Sequence, residues 1–384
     1  MRALKIAKSL VSGKPSYLIM YVTNKCNSRC RTCFIYDSLN NPNTKEMTLD
    51  EITKLTKSFK SLVYVSLTGG EPFMRTDIDQ IMKAFYNNSG TIFFAIPTNG
   101  LLPDRIVEKS ESVLKDCPEV RLHIDLSVDG LHDVHDYVRG VKGNFEQTLK
   151  SYEGLRKLKA IYPNNLFINV HTCFNGYNQD YIYDIIRYFE KLDAVDNHRV
   201  GMARNDSRFP EALADVEKYK KLIKFMNNSQ KRPKGMLSKL FKAIHELNAE
   251  MNVQSLEEDK MILPCIAMKK MIIIGEEGDV YPCEILNRTV GNLRDYDMDI
   301  NKMLSTPKSK ELRKWIVDTK CHCSWGCAIQ NNIIFNPSKT APKLLAKLLK
   351  PRSKSSREDI PKSPETSKKA EEPENLLSIR SQED

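Results

Sequence analysis

The chain has 384 residues, 41% of them hydrophobic, and a formal net charge of +10. That content supports one large domain and a small one, and no apolar run is long enough to cross a bilayer. The positive charge is spread along the chain without aromatic–basic interleaving, which argues against nucleic-acid binding.

Met1 to Lys14 is basic and lacks a long apolar core, so it does not read as a signal peptide. Ser16 to Val22 reads as a buried strand, apolar and aromatic, preceded by Pro15. A loop then carries Cys26, Cys30 and Cys33 in CxxxCxxC spacing. Three thiolates on one loop can hold three irons of a cubane and leave the fourth without a protein ligand. An open iron binds small molecules, whereas a fully ligated cluster mostly moves electrons. Zinc is the competing reading, because soft thiolates also select it. A structural zinc wants a fourth ligand nearby, and no other cysteine or histidine lies between Met1 and Cys117.

Thr48 and Glu51 form a capping box that predicts a helix through Phe59. Leu62 to Leu67 is a second strand, ending in Thr68-Gly69-Gly70-Glu71-Pro72. Two glycines after a strand allow close backbone approach to a ligand, and the carboxylate beside them can meet a cationic amino group. Ile92 to Ile96 is a third strand, followed by Pro97-Thr98-Asn99-Gly100. Val120 to Leu126 is a fourth, followed by Ser127-Val128-Asp129-Gly130. His132-Asp133, Arg139-Gly140 and Gly143-Asn144-Phe145 come next; Leu166 to Val170 and His198 to Met202 read as strands five and six. Helical patterns between strands argue for a parallel sheet with crossover helices. Each polar motif falls just past a strand's C-terminal end, where (β/α) barrels build active sites.

Asn205 to Lys260 reads as a helical bridge whose apolar stripe is more readily core than cofactor box. Met271 to Ile274, a Gly-rich turn and a return strand ending at Cys283 form a hairpin. Cys265, Cys283, Cys321, Cys323 and Cys327 make a second cysteine group. Five thiols fill one cluster with one to spare; spacing does not say which two of the last three join Cys265 and Cys283. A zinc knuckle with His322 is the alternative. Cysteines grouped like metal ligands point to a reducing, cytoplasmic compartment rather than a disulfide scaffold. His132, Asp133, His135 and Asp136 read as structural rather than as a metal site, His123 and His171 as satisfied strand residues. Cys117 and Cys173 read as small buried residues, with Cys173 alternatively lining a cavity. Ala341 to Lys350 is a short basic amphipathic segment, resembling Met1 to Val11, and predicts either a docked helix or peripheral contact with an anionic membrane. From about Lys350 the composition predicts disorder.

CxxxCxxC after the first strand and Gly69-Gly70-Glu71-Pro72 after the second resemble the radical S-adenosylmethionine (SAM) superfamily, and the Cys265–Gly278–Cys283 interval is similar to the opening of its SPASM and twitch extensions. The resemblance covers about Ser16 to Cys327. It implies an α/β fold: a partial (β/α)6 TIM-type barrel, a small C-terminal SPASM/twitch-like iron–sulfur domain and a disordered tail. The divisions it implies are 1–15, 16–204, 205–260, 261–335 and 336–384. It implies a 4Fe-4S cluster on Cys26, Cys30 and Cys33 whose open iron takes SAM, and one auxiliary 4Fe-4S cluster. SAM would be cleaved to a 5′-deoxyadenosyl radical that abstracts a substrate hydrogen, in an oxygen-poor setting. Gly69, Gly70 and Glu71 would receive the methionyl amino group, Asn99 and Ser127 the ribose or carboxylate, and Arg139 the carboxylate. The residue before the third cysteine, often aromatic in the superfamily, is Thr32 here, with Phe34 and Tyr36 nearby as substitutes. The resemblance further implies a flavodoxin- or ferredoxin-type electron donor. It implies a peptide or protein substrate, with a lipid, sugar or other cell-envelope precursor as the second reading. A non-catalytic iron–sulfur carrier would need neither the open iron nor Glu71.

Overall fold

The computed structural model describes residues 9, 12–60, 62–204, 210–229 and 235–349. The expectations for Met1 to Val11 and for the tail from Lys350 lie almost wholly outside them.

Six parallel strands stand side by side in chain order: β1 (Tyr17–Thr23), β2 (Tyr64–Gly69), β3 (Phe93–Thr98), β4 (Arg121–Ser127), β5 (Leu166–Phe174) and β6 (Val195–Met202). The crossovers between them are α1 (Leu49–Ser58), α2 (Ile78–Ala84), α3 (Pro103–Asp116), the pair α4 (His132–Arg139) and α5 (Asn144–Ile161), and α6 (Ile182–Glu190). The capping box is present: Thr48 accepts from the Glu51 N–H and Glu51 reaches back to the Thr48 N–H. This is the partial barrel of the expected class. β2 and β3 end two residues further than the hydrophobic runs implied, because their last residues belong to the polar motifs themselves, and β5 runs on to Phe174.

Strand alternation splits the sheet into two unlike faces. Leu18, Met20, Val65, Leu67, Phe94, Ile96, Leu122, Ile124, Ile168 and Val170 are fully buried. They turn toward the crossover helices, and each side chain so covered contributes about 1.5–3 kcal/mol. The opposite face is aromatic at its base and polar above. Tyr17 stacks on Tyr64 at 4.5 Å and His123 on Phe167 at 4.6 Å. Higher up, Asp125 accepts from Arg199 at 2.6 Å and from Asn169 at 2.7 Å, and Asn169 accepts from Asn197 at 3.0 Å. His123 and His171 therefore belong to this inner face.

The late segment does not form a separate sheet. β7 (Met271–Ile274) pairs in parallel with β1, Tyr17 opposite Met271 through Met20 opposite Ile274. β8 (Asp279–Tyr281) and β9 (Gly291–Asn292) follow antiparallel, giving one nine-stranded sheet. All four β7 residues are buried, as a strand covered on both faces requires. The hairpin is present, but its return strand ends at Tyr281, before Cys283; its junction with β1 is long-range and has no signature in local spacing.

The bridge is two helices, α7 (Val216–Ser229) and α8 (Met236–Glu258). α8 lies over the inner face, where Phe241 meets Phe93 at 6.4 Å and His245 feels the charges of Arg199, Asp125 and His123. Its Ile244, Leu247 and Met251 pack with Ile329 and Ile333. The remaining helices are α9 (Ile300–Leu304), α10 (Pro307–Asp318), α11 (Gly326–Phe335) and α12 (Pro337–Leu349). α12 is the predicted basic amphipathic segment, and it docks on α8 through Lys347, which reaches Glu250 at 2.7 Å.

Burial holds His135 down at about 4 and His198 at about 3. The unfolded chain binds these protons near 6.5, so the stability they contribute is complete above that pH and is lost as pH falls toward 4. The size is on the order of 3 kcal/mol for His135 and 5 kcal/mol for His198. Urea unfolding midpoints are expected to drop between pH 7 and pH 5, and to drop less in His135→Phe.

Candidate active site and auxiliary metal site

The residues that end β1 to β5 converge. The cysteine loop leaves β1 and is held on four sides. Asn40 binds both main-chain groups of Cys26, accepting at 2.8 Å and donating at 3.0 Å. The Asn99 amide donates to Asn27 at 2.7 Å and to Ser28 at 3.1 Å. The Arg29 and Arg31 N–H groups donate to the Arg139 and Val138 carbonyls at the end of α4. The Gly70 and Glu71 N–H groups donate to the Thr23 and Lys25 carbonyls, each at 2.8 Å. The two glycines are needed for this pairing: a Cβ on either would stand within 3.0 Å of the Thr23 or Lys25 carbonyl oxygen. Their close approach is thus to the cysteine loop's own backbone.

Glu71 is almost fully buried and organises the strand ends. Its carboxylate accepts from the Thr98 hydroxyl at 2.8 Å, the Asn99 N–H at 2.7 Å and the Phe73 N–H at 3.1 Å. Burial still raises its pKa above the usual carboxylate range. Asn99 spends its side chain inside the protein, since its oxygen also accepts from Leu101 at 3.0 Å. Asn144 and Thr148 hold the Asn99 carbonyl. Ser127 ends β4 half-buried on the inner face. Arg139 pairs with the buried Asp129 at 3.1 Å, and its Nε is buried without a hydrogen-bond partner. Burial works against its charge, but Cys30 and Asp129 keep it firmly protonated. Asp129 also accepts from the Cys173 N–H at 2.8 Å, and the Thr32 hydroxyl bonds the Cys173 thiol. Cys173 thus lines the site rather than the core, while Cys117 is buried as expected. Phe34 lies under the Arg204 guanidinium at 4.2 Å and Tyr36 under Arg29 at 5.8 Å.

Burial, then mutual repulsion, drives the thiols up. Cys26 and Cys33 stand at about 11, and Cys30 is raised as well. Arg139 offsets this only in part. Such a set becomes thiolate only against a strong positive charge, which is what iron supplies. Among the described residues no three His, Cys, Asp or Glu side chains converge as they would on one metal ion.

The second group resolves into four and one. Cys265, Cys283, Cys321 and Cys323 line one cavity of about 70 Å³ beside Ser255 and His322. Burial raises all four, Cys283 to about 11 and Cys323 to about 12, and they repel one another. Four thiols around one cavity fit a fully ligated cubane. Cys327 does not line that cavity. It stands toward the inner face of the barrel, where burial and then the charges of Glu284, Arg199 and Asp125 act on its thiol, pushing it up to about 12. Between the two groups, Glu284 accepts from the Tyr21 hydroxyl at 2.8 Å and faces Arg204 at 3.7 Å. Glu284 follows Cys283 directly and Phe34 follows Cys33, so Arg204 bridges the neighbours of the two sites. Asp129, Asn144, Arg204 and Glu284 were missed as site residues. The only local signal for them is a polar residue at, or next to, a quoted motif.

Residues 20–189 match the model of the Radical SAM superfamily, and residues 265–328 that of an iron–sulfur cluster-binding domain, SPASM. The chain belongs to the radical SAM superfamily. It is a member that carries the SPASM domain, an enzyme whose cofactors are 4Fe-4S clusters and SAM. It is 26% identical over 340 residues to an AdoMet-dependent heme synthase of Methanosarcina barkeri, covering 83% of this chain and 92% of that one. Among solved structures, anSMEcpe with bound AdoMet and Kp18Cys peptide superposes with a TM-score of 0.55 at 17% identity, over 87% of this chain and 99% of that one. Streptococcus suis SuiB bound to precursor peptide SuiA gives 0.55 at 18%, over 81% and 70%. At these identities the structural likeness is one of fold.

Proposed function

We propose that the enzyme modifies a peptide or protein by hydrogen-atom abstraction. The observation that carries it is the convergence of the three-cysteine loop, Glu71 and Arg139 at one end of the barrel, above the polar inner face that α8 covers. When bound, the cluster and SAM supply a 5′-deoxyadenosyl radical. Cys26, Cys30 and Cys33 hold the first cluster. Gly69, Gly70 and Glu71 present oxygen acceptors to the methionyl ammonium, and the unpartnered Nε of Arg139 donates to the carboxylate. Ser127 faces the ribose or carboxylate. Asn99 acts through the loop, by fixing Asn27 and Ser28. Phe34 and Tyr36 are the rings available to adenine in place of Thr32. The inner face, with Asp125, Arg199 and Glu284, receives the substrate, and α8 excludes water from it.

The peptide class is supported by the peptides bound in SuiB and anSMEcpe, which share this fold. Reconstitution without oxygen, then incubation with SAM, a reductant and a peptide library, is expected to yield 5′-deoxyadenosine and a peptide of altered mass. Turnover with no member of the library, but with a small metabolite, would reject the peptide class. A lipid-linked or envelope precursor is the second reading. It is favoured by α12, whose Leu345 and Leu349, one turn apart, are exposed, as is Lys343; no co-sedimentation with anionic vesicles would remove it.

Cys265, Cys283, Cys321 and Cys323 hold the auxiliary cluster in this reading, and Cys327 does not. Cys323→Ala is expected to lose the auxiliary iron, whereas Cys327→Ala keeps it. Iron analysis and the visible spectrum check both. In the loaded protein, Cys327 is the late cysteine left with a free thiol; burial pushes it up to about 12, so iodoacetamide is expected to label it slowly at neutral pH and faster as pH rises.

A further inference from the structure

Four cysteines of the second group face fixed positive charge. Besides the thiols, their cavity is lined by apolar side chains, Ser255, Asn332 and His322, and by no carboxylate. Asp259 meets His322 at 3.4 Å from an exposed position, and Glu284, next to Cys283, turns to Tyr21 and Arg204. Two arginines flank the thiols instead. Arg313, half-buried on α10, donates to the Cys265 carbonyl at 2.8 Å and to the Ala267 carbonyl at 2.9 Å. Arg288, exposed on the loop after Cys283, lies over the Trp315 ring of α10 at 4.2 Å. The charge of Arg313 acts on the Cys265 thiol and that of Arg288 on the Cys321 thiol. Neither arginine has an ion pair among the described residues. Burial works against the charge of Arg313, but a guanidinium keeps its proton.

Resting on the reading that these four thiols hold the auxiliary cluster, we propose that Arg313 is the residue that holds that cluster's reduction potential up, with Arg288 as a weaker second. A cubane on four thiolates is anionic and becomes more so on reduction, so a nearby cation favours the reduced form. Net charge, hydrogen bonding around the ligands and exposure set such potentials. Arg313 combines two of these. It brings charge to a half-buried place that salt screens little, and it polarises the main chain of a ligand. Arg288 has charge alone and stands in solvent. The raised potential makes the late cysteines the side of the protein where an electron comes to rest.

The test is a redox titration of the full chain followed by electron paramagnetic resonance. Cys30→Ala is the background, so that only the auxiliary cluster is read. Arg313→Gln is expected to cut the ratio of reduced to oxidised cluster about tenfold at a fixed potential, a drop of about 59 mV for one electron. Arg313→Lys keeps the charge and should keep most of the potential. Arg288→Gln should shift it less, and added salt should erase that smaller shift only. An unchanged potential in Arg313→Gln would overturn the proposal. So would an equal drop in Arg313→Gln and Arg313→Lys, or loss of the auxiliary iron from both, because Arg313 would then be a strut for the Cys265 loop. Should Arg313→Gln alone shed its iron, Arg288→Gln decides: a potential it leaves unmoved overturns the proposal, and a salt-sensitive drop supports it. A Cys30→Ala protein that takes up no iron rejects the auxiliary-cluster reading itself, an outcome distinct from an iron site of unmoved potential.

Discussion

Cys30→Ala is expected to abolish SAM cleavage while leaving the auxiliary iron in place. Two thiols cannot hold a cubane that three secure, so the open iron is lost with the cluster. The fold should persist, because Cys30 is half-exposed on a loop that Asn40, Asn99 and the end of α4 hold independently. Iron should fall to the content of one cluster, 5′-deoxyadenosine should drop to background, and the thermal midpoint should move little. Undiminished 5′-deoxyadenosine formation would remove the loop from the chemistry.

Gly70→Ala is the second large effect, and it arises through backbone. The added methyl would meet the Lys25 carbonyl oxygen closer than any real Cβ contact. Relief requires parting the Gly70–Thr23 and Glu71–Lys25 hydrogen bonds, which are the hinge between β1 and its cysteines. Two buried main-chain bonds lost amount to about 2 kcal/mol or more, and the loop shifts off the position its thiols need. The variant is expected to fold at reduced stability and to lose the first cluster, with the auxiliary one kept. Gly143→Ala is the control. Unlike Gly70 it has a positive φ, +78°, and open space around it, so it should cost about 1 kcal/mol and leave the iron alone. Full iron loading of Gly70→Ala would refute the argument.

The barrel was legible in the sequence because buried strands have a strong apolar signature and each ends in an unusual polar group. The capping box at Thr48 and the hairpin around Gly278 were legible for the same reason: both are local. What was not legible depends on direction and on distant partners. Spacing places Cys323 and Cys327 in one run, but Cys323 precedes α11 and Cys327 lies in its first turn. Helical rotation then points the two thiols to different places. Asn99 stood in the right motif, yet only tertiary packing shows its amide spent on Asn27 and Ser28. Arg139 likewise reads as a free cation until Asp129 is seen beside it. The pairing of β7 with β1 joins residues far apart in the chain, and no local pattern encodes it.

That last pairing makes the sheet a ruler. The strand leading into one iron site and the hairpin leading into the other are locked rung by rung, so the span between the sites is set by hydrogen-bond register. Residues inserted between α7 and α8 should lengthen the connector and leave that span unchanged, together with the rate at which an electron crosses it.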